Sequence, residues 1–309
     1  MTEATAPLMH SDRRDPVFDR PVFILSPPRS GSTLLFELLT QAPDVYTIGG
    51  ESHQMIEQVR GLSPRDRGFD SNVLEASDAS PERVQELRSH FKAALRDRDG
   101  RPPQTMPVRM LEKTPKNALR VSFLNEVFPE GRFVFLYRDA RETIGSMIDA
   151  WQSGRFRTYP GLPGWQQLPW SLVLVPGWRE LASGPLHRIV AAQWQATMEC
   201  LLDAIEAIAP DRWCAMDYAA LLAQPQKQMQ ELSAALNLPW DRQLGETLPF
   251  SRYTLTRPAP DKWRKHAALI EPMLPGLMST MERARAVLTA GLAQRQALTQ
   301  NLGFSALAS

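Results

Sequence analysis

The chain has 309 residues, of which 43% are hydrophobic and 22% are charged, and its formal net charge is +1. These values are typical of a soluble globular protein that is long enough to bury a sizeable core. A net charge near zero excludes a global basic field for nucleic acid. Any anion site must therefore come from positive groups placed locally.

The cysteines, histidines and apolar runs indicate the compartment of the protein and whether it binds a metal or spans a membrane. The two cysteines, Cys200 and Cys214, make no disulfide framework, which fits a reducing compartment. The histidines show no metal-ligand spacing, so we expect no metal. No apolar run approaches the ~20 residues of a membrane span. The polar N-terminus lacks the apolar segment of a signal peptide. The sequence therefore predicts a cytoplasmic protein without a membrane span.

Strand and helix patterns alternate along the chain after a flexible lead over residues 1–20. The predicted strands are 21–26, 45–50 (a short strand or extended turn), 108–113, 132–138 and 212–218. The predicted helices are 32–42, 81–98, 117–128, 140–152, 187–208, 219–238 with a break at Pro225, and 271–299. This order predicts one α/β domain over 21–309, with three α/β/α layers and a mostly parallel central sheet.

Residues 153–186 depart from that alternation. Glycines, prolines and three tryptophans (Trp165, Trp170 and Trp178) surround a short apolar run. The pattern predicts an irregular insertion. It is either a lid over an apolar ligand or a segment packed in the core or against a second copy.

The segment SPPRSGST (26–33) joins the first predicted strand to a helix. Ligands of open parallel sheets bind at such strand ends, and a helix N-terminus offers unpaired N–H groups to an anion. Gly31 lets the backbone approach the anion, and Arg29 adds a planar donor fork. Hydroxyl donors come from Ser30, Ser32 and Thr33. The segment predicts a phosphate-like ligand. A strand stop followed by a Ser32 helix cap would explain everything except Arg29.

A nucleoside-triphosphate P-loop fits this segment poorly. The pattern G-x-x-x-x-G-K-[ST] needs a first glycine and a lysine. Here Ser26 stands in place of that glycine and Ser32 in place of the lysine. A P-loop kinase or NTPase is therefore the weaker interpretation.

Two motifs resemble those of one enzyme family. PPRSGSTLL resembles the loop that binds the 5′-phosphosulfate in sulfotransferases that use 3′-phosphoadenosine 5′-phosphosulfate (PAPS). FVFLYRDARETIGSM resembles their 3′-phosphate segment, with Arg138 at a strand end and Ser146 in the following helix. The resemblance implies a P-loop-like, sulfotransferase-like fold, PAPS as donor, 3′-phosphoadenosine 5′-phosphate (PAP) as product and no metal. Arg29 in place of lysine looks like the bacterial and carbohydrate-acting branches.

Weaker matches extend the resemblance to about residue 266. LEKTPKN resembles the family's segment with a lysine near the sulfonate, which implies that role for Lys113. The strand and helix around Tyr218 resemble the segment near the adenine, although the acidic residue there is displaced. DKWRKH resembles the basic segment that closes on the nucleotide, which implies a general role for Lys262 and Arg264.

The family reaction implies an acceptor hydroxyl or amine and a base. Glu51 resembles the family's acidic base, and His53 is a natural alternative because its ordinary pKa is near 6.5. Arg29 and Lys113 are expected to stabilise the developing charge. The acceptor is expected to be a small or carrier-bound hydroxylated molecule, of lipophilic character if residues 153–186 form a lid. A non-catalytic PAPS- or PAP-binding module is the main alternative, and the sequence leaves a homo-oligomer open.

Overall fold

The computed structural model describes residues 15–255, 259 and 261–306. The predicted flexible lead falls mostly on residues 1–14, outside the described residues. Residues 15–20 lie against the sheet instead of extending from it, because Phe18 is fully buried and forms a parallel bridge with Val108.

A parallel sheet organises the domain. The strands are β1 (Val22–Leu25), β2 (Val45–Tyr46), β3 (Arg109–Lys113), β4 (Arg132–Tyr137), β5 (Arg157–Tyr159), β6 (Trp170–Ser171) and β7 (Trp213–Asp217). Five of them pair in the order β2-β3-β1-β4-β7, all parallel, while β5 and β6 form a separate antiparallel pair. Every residue of β1 is buried, as expected for the middle strand of a sheet covered on both faces.

Helices connect these strands and cover the sheet. They are α1 (Ser32–Leu39), α2 (His53–Gln58), α3 (Pro81–Ala94), α4 (Val121–Val127), α5 (Ala140–Ser153), α6 (Leu186–Glu206), α7 (Tyr218–Ala223), α8 (Pro225–Ala235), α9 (Ala267–Ile270) and α10 (Leu274–Ala306). Short 3₁₀ turns include Pro115–Leu119 and Lys262–His266. None of the described helices combines the length and apolarity that crossing a membrane requires.

The core has two parts, one on each face of the sheet. Val22 and Ile24 of β1 pack with α1, α7 and α8, whereas Phe23 and Leu25 pack with α3 to α6. The alternation of side chains along the strand produces this division. The predicted three-layer α/β fold with a parallel sheet is therefore confirmed.

Several element boundaries differ from the predictions. The expected strand over 45–50 ends at Tyr46, before the Gly49-Gly50 pair. The helix expected over 117–128 divides into a 3₁₀ turn and α4. The predicted break at Pro225 is present between α7 and α8. The last helix begins at Leu274 and runs to Ala306, beyond the predicted end at 299.

Candidate functional site

A cavity of about 850 Å³ lies at the carboxyl ends of the parallel strands. Its walls include residues from the loop after β1, from α2, from α5 and from the coil over 246–255. The chain runs from β1 to one edge of the sheet and later returns to add β4 and β7 on the other side. Open α/β sheets bind ligands where the strand order changes direction in this way.

The loop after β1 keeps an unusual backbone conformation. Both Arg29 (φ 69°) and Gly31 (φ 95°) have positive φ. A Cβ atom on Gly31 would lie 2.2 Å from Cε2 of Tyr218, so the ring of Tyr218 can approach the loop because residue 31 is glycine. Helix α1 starts at Ser32 after a Gly31 cap that has no side-chain hydrogen bond. The alternative in which Ser32 caps the helix therefore does not hold. The N–H groups of Leu34 and Leu35 donate to the Gly31 carbonyl, which leaves those of Ser32 and Thr33 available to an anion.

Arg29 is held over the cavity by an aromatic ring and one carbonyl. Its guanidinium lies 4.6 Å from the centre of the Phe156 ring, and Nη1 donates to the carbonyl of Tyr253 at 3.1 Å. Its Nε is buried and has no hydrogen-bond partner among the described residues. Burial, followed by nearby Arg138, lowers the pKa of Arg29, but a guanidinium stays charged at neutral pH. The side chain is thus a half-buried cation whose Nε–H is buried and has no partner among the described residues.

Arg138 links the end of β4 to the loop after β1. Its Nη1 donates to the carbonyl of Arg29 at 2.9 Å, and its Nε donates to Glu142 at 3.0 Å. The guanidinium also lies 4.8 Å from the centre of the Tyr218 ring. Ser146, two turns into α5, lines the same cavity. The two arginines of the sequence motifs are therefore joined through one hydrogen bond.

The late basic segment reaches the cavity by docking on α5. Trp263 packs so closely that a Cβ on Gly145 would lie 3.1 Å from its Cβ atom. Lys262 lines the cavity, and burial lowers its pKa, with Arg138 and Arg29 acting in the same direction. Arg264 is largely exposed, pairs with Asp261 at 3.1 Å and does not line the cavity.

A second part of the cavity wall carries the candidate base groups. Nζ of Lys113 donates to Oε1 of Glu51 at 2.7 Å, and Nδ1 of His53 lies 3.6 Å from Oε2. Glu51 and His53 line the cavity, whereas Lys113 is buried behind Glu51. Burial lowers the pKa of His53, and the charge of Lys116 acts the same way, so the imidazole is neutral at pH 7. Ser30, buried under the loop, is also absent from the cavity lining.

A buried carboxyl group fixes the geometry of this wall. Glu112 accepts hydrogen bonds from the hydroxyls of Ser52 at 2.7 Å and Thr114 at 2.5 Å, and from Nδ2 of Asn117 at 2.7 Å. Burial raises the pKa of Glu112. The network ties the turn that carries Glu51 to the end of β3. Sequence reasoning missed Glu112, although it directly precedes Lys113 in a quoted motif.

The segment 153–186 contributes to both core and cavity. Trp170 and Trp178 are fully buried with their ring centres 5.6 Å apart, and Trp165 lies 4.8 Å from Trp170. Leu172 and Val173 line the cavity. Sequence reasoning also missed several other residues of the cavity wall, namely Glu57, Lys116, Phe156, Tyr159, Tyr253 and Trp263. Within the described ranges, no group of three or more His, Cys, Asp or Glu residues is arranged to hold a metal ion.

Comparisons with known proteins agree on one family. Residues 21–242 match the model described as the sulfotransferase family. The protein-tyrosine sulfotransferase A of Caenorhabditis elegans is 24% identical over 71% of this chain and 50% of its own length. The protein-tyrosine sulfotransferase of Drosophila melanogaster is also 24% identical, over 71% of this chain and 38% of its own length. The chain therefore spans half or less of the length of these two relatives.

One solved structure that is similar to this chain is the sulfotransferase domain from the Synechococcus PCC 7002 olefin synthase. It is 19% identical, covers 91% of this chain and 98% of its own, and superposes with a TM-score of 0.48.

Proposed function

Because the chain belongs to the sulfotransferase family, we propose that it transfers a sulfuryl group from PAPS to a hydroxyl or amine of an acceptor. The observation that carries this proposal is the pair of arginines, Arg29 and Arg138, at one cavity and joined by a hydrogen bond. Two linked cations at neighbouring strand ends suit a ligand with two separate anionic groups.

The residues present fit such a donor. The unpartnered Nε of Arg29, the backbone of Gly31 and the start of α1 would hold the 5′-phosphosulfate. Hydroxyls of the same loop, from Ser32 and Thr33, would support that end, whereas Ser30 is buried under the loop and does not line the cavity. Arg138 and Ser146 would hold the 3′-phosphate, and Lys262 would add a third positive charge near both. Tyr218, stacked on Arg138, would lie beside the adenine.

PAPS supplies a sulfuryl group on a good leaving oxygen. The acceptor oxygen forms a bond to sulfur, the bond from sulfur to the 5′-phosphate oxygen breaks, and its electron pair leaves on that oxygen. The acceptor proton passes to a base that lines the same cavity. Arg29 and the amides of α1 stabilise the negative charge on the leaving oxygen. No metal is required for this chemistry.

We assign the base to Glu51, with His53 as the alternative. Lys113 donates to one carboxylate oxygen and leaves the other toward His53 and the cavity. This arrangement gives Lys113 the task of orienting Glu51, because its ammonium is buried behind that carboxylate and does not line the cavity. The Glu112 network would keep the turn in register with β3.

Two classes of acceptor should be tested directly. The two relatives named above are protein-tyrosine sulfotransferases, so a phenolic hydroxyl is one class. Leu172 and Val173 at the cavity support a lipophilic class. The cytoplasmic location stays a prediction from the sequence, and a homo-oligomer stays open.

Calorimetric titration with PAP, beside ATP, tests the donor site. We expect wild type to bind PAP and prefer it to ATP, and Arg138→Ala to lose at least 10-fold in PAP affinity through a lost charge-assisted bond. Arg60→Ala, an exposed arginine away from the cavity, is the matched control. Preference for ATP, or no PAP binding by a folded wild type, would contradict the proposal. Intact PAP binding without transfer to any acceptor would favour the non-catalytic module.

A further inference from the structure

A cluster of buried charges lies on the same wall as the candidate base. Glu57 accepts from Nζ of Lys116 at 2.7 Å and from Nη2 of Arg120 at 2.7 Å. Both cations are buried, and Glu57 and Lys116 line the cavity. Two cations share one carboxylate, so the cluster carries one positive charge in surplus.

The neighbouring groups do not cancel that surplus. Glu51 is paired with Lys113, and His53 is neutral at pH 7 because burial lowers its pKa. Nη1 of Arg120 is buried without a hydrogen-bond partner among the described residues. A buried charge without a counter-charge is costly, so an anion in the adjoining cavity would stabilise this wall.

Tyr159 supplies a second donor beside Lys116. Its hydroxyl accepts from Nζ of Lys116 at 2.9 Å and from Nδ2 of Asn72 at 2.6 Å. The orientation of the Asn72 amide is fixed because its Oδ1 accepts from the backbone N–H of Leu174 at 2.7 Å. With both its lone pairs engaged, the hydroxyl of Tyr159 keeps its own proton for a third group. Tyr159 also lines the cavity.

Building on the transfer reaction proposed above, we propose that Lys116 and Tyr159 form a subsite for a carboxylate of the acceptor. The acceptor would then be a hydroxylated carboxylic acid. One carboxylate oxygen would accept from the Lys116 ammonium and the other from the Tyr159 hydroxyl. A primary amide has one oxygen acceptor and would present its N–H groups to donors. One surplus positive charge matches a monoanion better than a phosphate dianion.

The rest of the wall suits such a molecule. Both candidate bases interact electrostatically with Lys116. The charge of Glu51 raises the pKa of Lys116, and the charge of Lys116 lowers the pKa of His53. The reacting hydroxyl and the carboxylate would therefore lie along one wall. Leu172 and Val173 line the cavity and would contact the apolar part between the two groups.

Binding of the acid has a proton signature. Burial lowers the pKa of Lys116 to about 8, Arg120 acts in the same direction, and Glu57 and Glu51 oppose it. The charged and titratable groups facing Lys116 are Glu57 and His53 of α2, Glu51, Arg120 and Tyr159. A carboxylate would raise the pKa of Lys116, so at pH 8 binding should take up about half a proton. At pH 6 Lys116 is already charged, and its uptake should vanish.

Calorimetry with matched probes tests the subsite without relying on turnover. The probes are para-hydroxyphenylpropanoate and omega-hydroxydodecanoate, each beside its primary amide, with and without PAP. We expect at least one acid to bind about 10-fold or more tightly than its amide, as for a charge-assisted hydrogen bond. Titration at pH 8 in two buffers of different ionisation enthalpy should report the proton uptake.

Three variants locate the effect. Lys116→Met should abolish both the acid preference and the proton uptake, with Glu57 still paired to Arg120. Tyr159→Phe should reduce the preference by a smaller factor, about 3-fold to 10-fold. Lys92→Met, on the exposed side of α3, should leave both unchanged.

The outcomes separate this inference from the transfer reaction. Equal binding of acid and amide, an acid preference that survives Lys116→Met, or binding of no acid would overturn the carboxylate subsite even if PAP binds normally. Failure of wild type to bind PAP would instead overturn the donor site, while the acid titrations without PAP would still decide the subsite.

Discussion

Under the proposed reaction, the cavity has a donor wall, which carries Arg29 and Arg138, and an acceptor wall, which carries Glu51, Glu57 and Lys116. The two walls are built by different means. On the donor wall, Arg138 follows directly after β4 and Arg29 lies in the loop after β1. The link between them uses a main-chain carbonyl. On the acceptor wall, side chains contact side chains far away in sequence, such as Lys113 and Glu51, which are 62 residues apart. The donor wall thus depends on backbone geometry and the acceptor wall on mutual pairing of charges. A substitution on the donor wall should therefore affect mainly the replaced side chain, whereas a substitution on the acceptor wall should also change its charged partners.

Glu51→Gln should have the largest effect, and it should fall on the acceptor wall alone. Removing the base while keeping the shape should lower kcat by about 10² to 10⁴, with PAP affinity unchanged. Steady-state kinetics beside PAP calorimetry would measure both. His53→Gln is the companion variant, and a larger loss there would move the base to His53. In that case activity should fall as pH drops into the titration range of His53, whose pKa lies below 6.5.

Arg29→Ala should come next, with a loss of transfer of about 10² to 10³, as when an oxyanion donor is removed. Arg29 also stacks on Phe156 and contacts Tyr253, so PAP affinity should fall as well. Single-turnover kinetics with saturating donor would separate the two effects. Arg60→Ala should behave like wild type. Unchanged turnover and affinity in Arg29→Ala would remove the loop from the donor site.

Ser146→Ala should affect the donor wall only slightly. Loss of one neutral hydroxyl bond to the 3′-phosphate should weaken PAP binding by about 2-fold to 10-fold. The kcat at saturating donor should not change, because the group lies away from the transfer point. Titration with adenosine 5′-phosphate, which lacks the 3′-phosphate, serves as the control. If the variant weakened both ligands equally, Ser146 would not contact the 3′-phosphate.

A further expected effect concerns stability on the acceptor wall. The folded-state pKa of Lys116 is about 8, below the ordinary 10.5. Between these values the unfolded chain binds more protons, so the free energy of unfolding should rise with pH. Relative to Lys116→Met, wild type should gain on the order of 1–3 kcal/mol across that window. Urea unfolding at pH 8 and pH 10 would measure it, with Lys92→Met as control. A flat difference would mean that Lys116 keeps its ordinary pKa.

The donor wall was largely predictable because its signals are local. A buried strand, a turn with Gly31 and a helix start are contiguous in sequence, and Arg138 ends the clearest strand. The close approach of Tyr218 to Gly31 needed the structure, since 187 residues separate them. The expectation for Arg264 differs from what the fold provides. In a 3₁₀ turn only part of the basic run can face inward, so Lys262 lines the cavity while Arg264 pairs outside.

The acceptor wall could be predicted only in part. Glu51, His53 and Lys113 came from resemblance, but their hydrogen bonds depend on how β3 meets the turn before α2. Glu112, Glu57 and Lys116 look like ordinary surface charges in the sequence. Their burial follows from tertiary packing, which local patterns do not encode.

The docking of Trp263 on Gly145 also bears on how the protein is synthesised. During translation, Arg29 and Arg138 are synthesised long before Tyr253 and Trp263. A nascent chain that stops before residue 240 therefore holds both arginines but neither the carbonyl that positions Arg29 nor the turn that carries Lys262. A ligand that binds only the completed pocket stabilises finished polypeptides over truncated ones by mass action. A higher concentration of such a ligand in the cell would thus stabilise full-length chains more than truncated ones.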